Sequence, residues 1–202
     1  MMMRHILAAM TTLSLAVSLL SGCSTSPRVT YYTLNPAAAP ETAAQAPAVE
    51  SVAIGPVTLP EMLNRPHLVL RTAPNRVEVL ETHRWAEPLK TEIPRVIADN
   101  LTVLLTPARV SSYYQQAAFN ADVRVAIDFV RFEMTSGEGV TLDALWAVQR
   151  VGDDKPKSGR TTVREPAGGD GYGALVTAQS RALAVLSRDI AQAVRTLAAP
   201  SR

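Results

Sequence analysis

The six residues from Gly169 to Ala174 are the segment of this chain whose pattern most resembles a ligand-binding motif. They read Gly-Asp-Gly-Tyr-Gly-Ala and match, letter for letter, the G-x-G-x-x-A pattern in which a glycine-rich turn and a helix N-terminus bind a pyrophosphate. Dinucleotide binding also requires a parallel strand after that helix, with an acidic residue at its end for the ribose. The sequence shows no strand pattern after the helix, so we expect a loop in which Asp170 can cap it.

The other side chains that could act as acids, bases or metal ligands are sparse. His67 and His83 are the histidines outside the N-terminal segment, and their spacing fits no metal motif. Asp122 and Asp128 share one face of a predicted strand but lie about 20 Å apart, too far for paired acid–base chemistry. Because G-x-S-x-G and phosphate-loop motifs are also missing from the sequence, we predict no enzyme activity, no catalytic residue, no metal site and no bound cofactor.

The composition is that of an ordinary folded domain. The chain has 202 residues, of which 47% are hydrophobic and 19% charged, with a formal net charge of +2. This size and composition predict one domain of about 150 residues. Its basic residues are scattered, so nucleic acid is not an expected partner. The single cysteine excludes a disulfide within the chain.

The N-terminal segment has the pattern of a secretory signal. Arg4 supplies a positive charge, and the 15 residues from Ile6 to Leu20 are uncharged and mostly apolar. This run is shorter than the roughly 20 residues that a transmembrane helix needs. We therefore expect export and cleavage of residues 1–22 rather than a permanent membrane span.

The end of this segment, Leu20-Ser21-Gly22-Cys23, resembles the lipobox of bacterial lipoproteins. The resemblance implies cleavage before Cys23 and attachment of a diacylglycerol and an N-acyl chain to that cysteine. One acyl chain binds a membrane only reversibly, whereas several anchor a protein firmly. Ser24 follows where an Asp would retain a lipoprotein in the inner membrane, so we expect an outer-membrane anchor with the domain facing the periplasm.

Residues 23–50 are predicted to be an acylated N-terminus followed by a linker, with the domain at residues 51–199. The prolines and alanines of Asn35 to Glu50 favour an extended chain that could reach about 50 Å. Tyr31 and Tyr32 precede this linker, outside the predicted strands and helices. Because each combines a large apolar ring with a hydroxyl, both are candidate partner-binding residues. Packing on the edge of the domain is the alternative.

Hydrophobic periodicity predicts an α+β fold, in which a largely antiparallel sheet packs against two main helices. One helix opens after Pro88 with Leu89, Ile93, Ile97, Leu101 and Leu104 on one face, and Pro94 is expected to kink it or delay its start. The predicted strands are Ser51–Pro60, His67–Thr72, Arg76–Thr82, Ala121–Met134, Val140–Val148 and Arg160–Glu165, and the second helix is Ala174–Leu197. Ala73-Pro74-Asn75 is predicted to form a hairpin turn between the second and third strands, and the last three strands should form an antiparallel meander.

Several short motifs occur in one order along the mature chain. Together they resemble the PqiC (YmbA) or ABC-type transport auxiliary lipoprotein family. The resemblance rests on the lipobox followed by Tyr31-Tyr32-Thr33-Leu34, Ile54 to Leu63, Asn64-Arg65-Pro66, Asn75-Arg76 and His83-Arg84-Trp85-Ala86-Glu87-Pro88-Leu89.

This resemblance implies a subunit of an intermembrane lipid transport system that supports membrane integrity. Its implied partners are an MCE-domain protein and an inner-membrane permease and ATPase complex, with homo-oligomers as a further possibility. Two alternatives stay open, a periplasmic binding or assembly lipoprotein unrelated to MCE transport and a hydrolase with an unrecognised site. The first alternative is distinguished by its partners. The hydrolase is distinguished by a pocket in which a nucleophile and a base lie within hydrogen-bond reach.

Overall fold

In the computed structural model, residues 27–40, 49–112, 116–153 and 155–198 are described. The predicted signal sequence, the lipobox and Cys23 lie outside the described residues, as do residues 41–48 of the predicted linker. Among the described helices, none is long and apolar enough to cross a membrane.

The described ranges contain eight β-strands, two α-helices and two short 3₁₀ helices. The strands are β1 Thr30–Tyr32, β2 Ser51–Thr58, β3 His67–Ala73, β4 Arg76–Trp85, β5 Arg109–Ser112, β6 Val123–Thr135, β7 Gly139–Arg150 and β8 Lys157–Pro166. The α-helices are α1 Leu89–Leu104 and α2 Gly171–Ala198, and the 3₁₀ helices are Glu61–Leu63 and Gln116–Asn120.

All eight strands belong to one sheet. Four pairings are parallel, namely β1–β4, β2–β5, β2–β6 and β3–β6, and three are antiparallel, namely β3–β4, β6–β7 and β7–β8. The expected single α+β domain with two helices is confirmed, but the prediction of a largely antiparallel sheet is wrong because the sheet is mixed. Parallel pairs join segments that are far apart in sequence, and turn signals reveal only the hairpins between neighbouring strands.

The hairpins predicted from turn residues are present. β3 and β4 pair around Ala73-Pro74-Asn75, and β6, β7 and β8 form the expected meander. Trp146 of β7 lies over Gly159 of β8 and donates a 3.0 Å hydrogen bond to the Thr161 hydroxyl. This indole therefore packs across the meander.

The two helices cover one face of the sheet and also contact each other. α1 begins at Leu89, directly after Pro88, and continues through a buried Pro94, so the proline did not delay its start. Its inward face includes Ile93, Ile97 and Leu101, which are fully buried. Burying each such side chain stabilises the fold by about 1.5–3 kcal/mol, so this face holds α1 on the sheet.

Candidate docking site

Residues 33–38, called the N-terminal arm below, follow β1 and bind to α1. Leu34 is only 1% exposed, and its backbone N–H donates a 2.9 Å hydrogen bond to Oε1 of Glu92. The hydroxyl of Thr33 donates to the same oxygen. Glu92 is itself fully buried in the first turn of α1. A buried carboxylate needs such donors, so Glu92 and the arm depend on each other.

The rest of the arm is held by polar side chains from both helices. The backbone N–H of Asn35 donates to Oγ of Ser180 on α2 at 3.1 Å. The N–H groups of Ala37 and Ala38 both donate to Oδ1 of the buried Asn100, each at 2.9 Å. These bonds place the first residues of the predicted linker with the folded domain, ahead of its expected start at Ser51.

Sequence reasoning missed Glu92 and Asn100 as the residues that hold the N-terminal arm. Both are polar residues on the apolar face of α1, spaced three residues from Leu89 and seven residues from Ile93 respectively. Polar side chains on a buried face require internal partners. That signal indicates that some other segment covers the helix, although it does not identify which one.

Tyr31 and Tyr32 form β1, which pairs in parallel with the end of β4, with Tyr31 opposite Arg84 and Tyr32 opposite Trp85. The expectation that these tyrosines lie outside the strands is therefore wrong. It failed because a three-residue strand has no repeating pattern, and its partner lies some fifty residues later in the chain.

The two tyrosines differ in their surroundings. The Tyr32 hydroxyl and Nδ1 of His83 are 2.9 Å apart in a hydrogen bond, and the His83 ring packs on Tyr172 at a centroid distance of 4.4 Å. Burial, with a smaller contribution from Tyr172, raises the pKa of Tyr32 because the phenolate loses hydration. Tyr31, in contrast, is 63% exposed. Packing accounts for Tyr32, whereas the ring of Tyr31 is available for contact.

Two segments far apart in sequence, residues 63–66 and 85–89, line a surface cleft of about 290 Å³. Leu63, Trp85 and Leu89 contribute buried apolar side chains, while Arg65 and Glu87 are exposed beside it. The full lining is Leu63, Asn64, Arg65, Pro66, Trp85, Ala86, Glu87, Pro88 and Leu89.

Backbone hydrogen bonds fix the walls of this cleft and join it to β1. The N–H of Trp85 donates to the carbonyl of Pro66 at 2.7 Å, which ties one wall to the other. The N–H of Ala86 donates to the carbonyl of Tyr32 at 2.8 Å, which ties the second wall to β1. The cleft and the exposed Tyr31 are thus parts of one region at an edge of the sheet.

The acidic residues weighed as possible catalysts have structural roles. Asp122 accepts hydrogen bonds from the Ser51 hydroxyl and from the N–H groups of Glu50 and Ser51, which lower its pKa by stabilising the carboxylate. Asp128 accepts a hydrogen bond from the Thr58 hydroxyl. In the part of the chain that the structure describes, no three His, Cys, Asp or Glu side chains are grouped to hold a metal ion.

The segment that resembles a dinucleotide fingerprint forms the loop before α2 and its first turn. Gly171 has a φ of +77° at the start of that helix, a conformation that glycine adopts easily. Residues 171–198 are helical throughout.

A family model described as ABC-type transport auxiliary lipoprotein component matches residues 32–191. The matched range includes the N-terminal arm and both walls of the cleft. The chain belongs to this family. It is thus an auxiliary lipoprotein component of ABC-type transport, and the family implies membrane anchoring and association with other transport components.

Solved structures support the fold. A crystal structure of an uncharacterized protein is 18% identical with a TM-score of 0.64, covering 82% of this chain and 98% of its own. A Xanthomonas campestris protein of the family DUF330 is 19% identical with a TM-score of 0.65, covering 80% and 92%. A dodecameric PelC from Paraburkholderia phytofirmans reaches a TM-score of only 0.39 at 11% identity, covering 81% and 96%. No curated protein matches the sequence at a significant level.

Proposed function

We propose that this protein is an outer-membrane-anchored periplasmic subunit of an MCE/ABC-type phospholipid transport system. In this role it docks on the MCE protein, which connects it to the inner-membrane permease and ATPase, and it supports the integrity of the envelope. The observation that carries the proposal is the family match over residues 32–191. Acylated Cys23 would supply the anchor, and no chemical step is assigned to the domain itself.

The cleft between residues 63–66 and 85–89 is the docking surface that we favour. Its walls are the Asn64-Arg65-Pro66 and Trp85-to-Leu89 segments, which are two of the motifs that suggested the family. Apolar residues beside exposed charges of both signs are typical of a protein interface with a buried centre and a polar rim. A partner segment with an apolar anchor flanked by charges would fit it.

Calorimetry with the periplasmic part of the MCE partner tests this surface. We expect the charge-reversal pair Arg65→Glu and Glu87→Lys, made in a domain that begins at Pro27, to weaken binding about tenfold or more while leaving the melting temperature unchanged. The matched control reverses Arg109 and Glu138, which are exposed elsewhere. Equal affinities for the two pairs would exclude the cleft, and no binding by the wild-type domain would exclude the docking model.

Replacement of Cys23 by Ser tests the anchor. The variant lacks the acylated thiol, so we expect it to lose radioactive palmitate and to leave the outer-membrane fraction. Retention of the variant in that fraction at the wild-type level would show that the lipobox interpretation is incorrect.

A pull-down from crosslinked membranes separates the proposal from the alternative of an assembly or binding lipoprotein unrelated to MCE transport. Recovery of an MCE protein supports the proposal, and recovery of other envelope proteins in its place supports the alternative. The purified protein should show no turnover of lipid or ester substrates, and turnover would support a hydrolase.

A further inference from the structure

The distance from the lipid anchor to the first strand of the domain is short. β1 begins at Thr30, seven residues after Cys23. Seven residues span at most about 25 Å when fully extended. The segment from Asn35 to Glu50 cannot lengthen this tether because it follows β1 in the chain. Its predicted reach of about 50 Å therefore does not separate the domain from the membrane.

The contacts of the N-terminal arm make this attachment firm. The β1–β4 pairing and the bonds to Glu92, Ser180 and Asn100 bind residues 30–38 along the domain. The tether could become longer only if β1 and the N-terminal arm detached from the domain. Their detachment would leave Glu92 and Asn100 buried without their donors, which is costly. The tether therefore ends at the β1 edge.

The short tether restricts the orientation of the domain because the domain is wider than the tether is long. A compact domain of about 165 residues has a radius of gyration near 15 Å and so a diameter of roughly 40 Å. The tether of about 25 Å is shorter than that diameter. The domain cannot turn its far side to the bilayer, so the β1 edge stays within about 25 Å of the membrane surface.

The side chains at this edge suit a lipid headgroup region. Tyr31 is 63% exposed, although it lies in a regular strand. Tyrosine is enriched at membrane interfaces because its ring is apolar and its hydroxyl is polar. Arg28 is exposed and lies two residues before β1 begins at Thr30, and arginine attracts anionic lipid phosphates.

We propose that the β1 edge, with Tyr31 and Arg28, rests on the phospholipid headgroups of the leaflet that holds the Cys23 anchor. This inference rests on the proposed acylation and goes beyond it, since it assigns Tyr31 to the bilayer rather than to a protein partner. The adjacent cleft then lies close to the membrane surface, at the place where a transport partner would exchange lipid with the outer membrane.

Depth-dependent quenching tests the proposal in the full-length acylated protein. Cys23 is the single cysteine of the chain, and acylation occupies its thiol, so a cysteine introduced by Tyr31→Cys can be labelled selectively with an environment-sensitive fluorophore. The protein is reconstituted in vesicles of phosphatidylethanolamine and phosphatidylglycerol that contain brominated lipids. We expect strong quenching and a blue-shifted emission for the label at position 31.

Phe119→Cys provides the matched control. Phe119 is an aromatic residue that is 75% exposed, and its 3₁₀ helix contacts β2 and β5, at the opposite end of the strand order from β1. A label there should show little quenching. Inserting twelve Gly and Ser residues between Ser26 and Pro27 should reduce the quenching at position 31, because the longer tether releases the domain.

The outcomes separate this inference from the proposed function. If palmitate is incorporated but labels at positions 31 and 119 are quenched equally, or position 31 is not quenched, the membrane-facing edge is excluded and the anchor stands. If Tyr31→Ala weakens binding of the MCE partner in calorimetry, Tyr31 belongs to the protein interface instead. If no palmitate is incorporated, the anchor itself fails, and the inference fails with it.

Discussion

The two edges of β6 are joined to the rest of the sheet in different ways. One edge pairs with β7 along almost its whole length, from Val123–Arg150 to Thr135–Gly139, through a hairpin. The other edge pairs with β2 at its beginning and with β3 at its end, both in parallel. The first edge is therefore made by neighbouring segments, and the second is assembled from segments that start more than fifty residues earlier.

Side chains support the parallel edge at each of its junctions. Asp122 binds Ser51 at the start of β2, Asp128 binds the hydroxyl of Thr58 at its end, and Glu133 forms a 2.8 Å ion pair with Arg71 of β3. The antiparallel edge relies on its long backbone ladder, which has one register shift between Phe129 and Arg131, and on a tight turn. The comparison teaches that backbone geometry constrains the antiparallel edge, whereas carboxylate side chains support the parallel edge.

Gly139→Ala, at the turn of the antiparallel edge, should have the largest effect on stability. Gly139 has a φ of +142°, and an added Cβ would lie 2.1 Å from the carbonyl oxygen of Glu165. We expect a loss of about 3 kcal/mol or more in the free energy of unfolding, measured with urea, because both strain and overlap must be relieved. Gly137→Ala is the control, since its φ is +74° but no atom lies within 4 Å of the added Cβ. It should cost about 1 kcal/mol, and equal losses would contradict the steric argument.

Glu92→Ala extends the comparison to the N-terminal arm, which also depends on side-chain acceptors. The variant leaves the buried N–H of Leu34 without its partner, so we expect a loss of about 2 kcal/mol. Hydrogen exchange should show that the Leu34 amide loses protection more than amides of the meander. Lys90→Ala, exposed on the same helix, is the control and should change stability by less than about 0.5 kcal/mol. Unchanged exchange at Leu34 in Glu92→Ala would show that the arm is held by other contacts.

Asp122→Asn should alter the pH dependence of stability. Hydrogen bonds from the Ser51 hydroxyl and backbone lower the pKa of Asp122. Its stabilising contribution is therefore complete above the ordinary Asp pKa of about 3.9 and is lost as pH falls through the lower folded value. We expect the variant to melt at a lower temperature at pH 7 and to lose less stability between pH 4 and pH 2 than the wild type. Asp153→Asn in an exposed turn is the control, and parallel curves for wild type and Asp122→Asn would refute the role of this carboxylate.

Asp143→Asn should give the smallest of these changes. The hydrogen bond from Arg160 lowers the pKa of Asp143, so this pair also contributes above the ordinary Asp pKa and is lost in acid. It joins β7 to β8, which a continuous backbone ladder already connects, and the Arg160 side chain is 59% exposed, so solvent screens the pair. The melting temperature at pH 7 should fall less than for Asp122→Asn. A larger fall would show that an antiparallel pair with an uninterrupted ladder depends on its carboxylate as much as the parallel edge of β6 does.

Local patterns were sufficient for the elements whose partners are near in sequence. The alternation of Val123, Val125 and Ile127 predicted β6, and the 3.6-residue period predicted both helices. The turn at Ala73-Pro74-Asn75 predicted the β3–β4 hairpin. The short strands β1 and β5 were missed because three or four residues carry too little pattern.

The candidate site was only partly predictable for the same reason. Tyr31 and Tyr32 were selected from sequence as a pair, yet the contact of Tyr32 with His83 separates their roles. The two walls of the cleft were known as motifs, but nothing in their spacing indicated that Trp85 would bond to Pro66. The two motifs became one surface only when β3 and β4 paired.

The sequence by itself determined the number and type of the main helices and strands, the hairpins and the resemblance to a lipoprotein family, because these depend on residues that are close together or on motifs in order. Tertiary structure alone decided the mixed sheet, the burial of Glu92 and Asn100 under the N-terminal arm, and the placement of the cleft beside β1. These features arise from parallel pairing and side-chain hydrogen bonds between distant segments. The stability of these contacts depends on which polar groups are buried together and pair with each other. That pairing is set only in the folded chain.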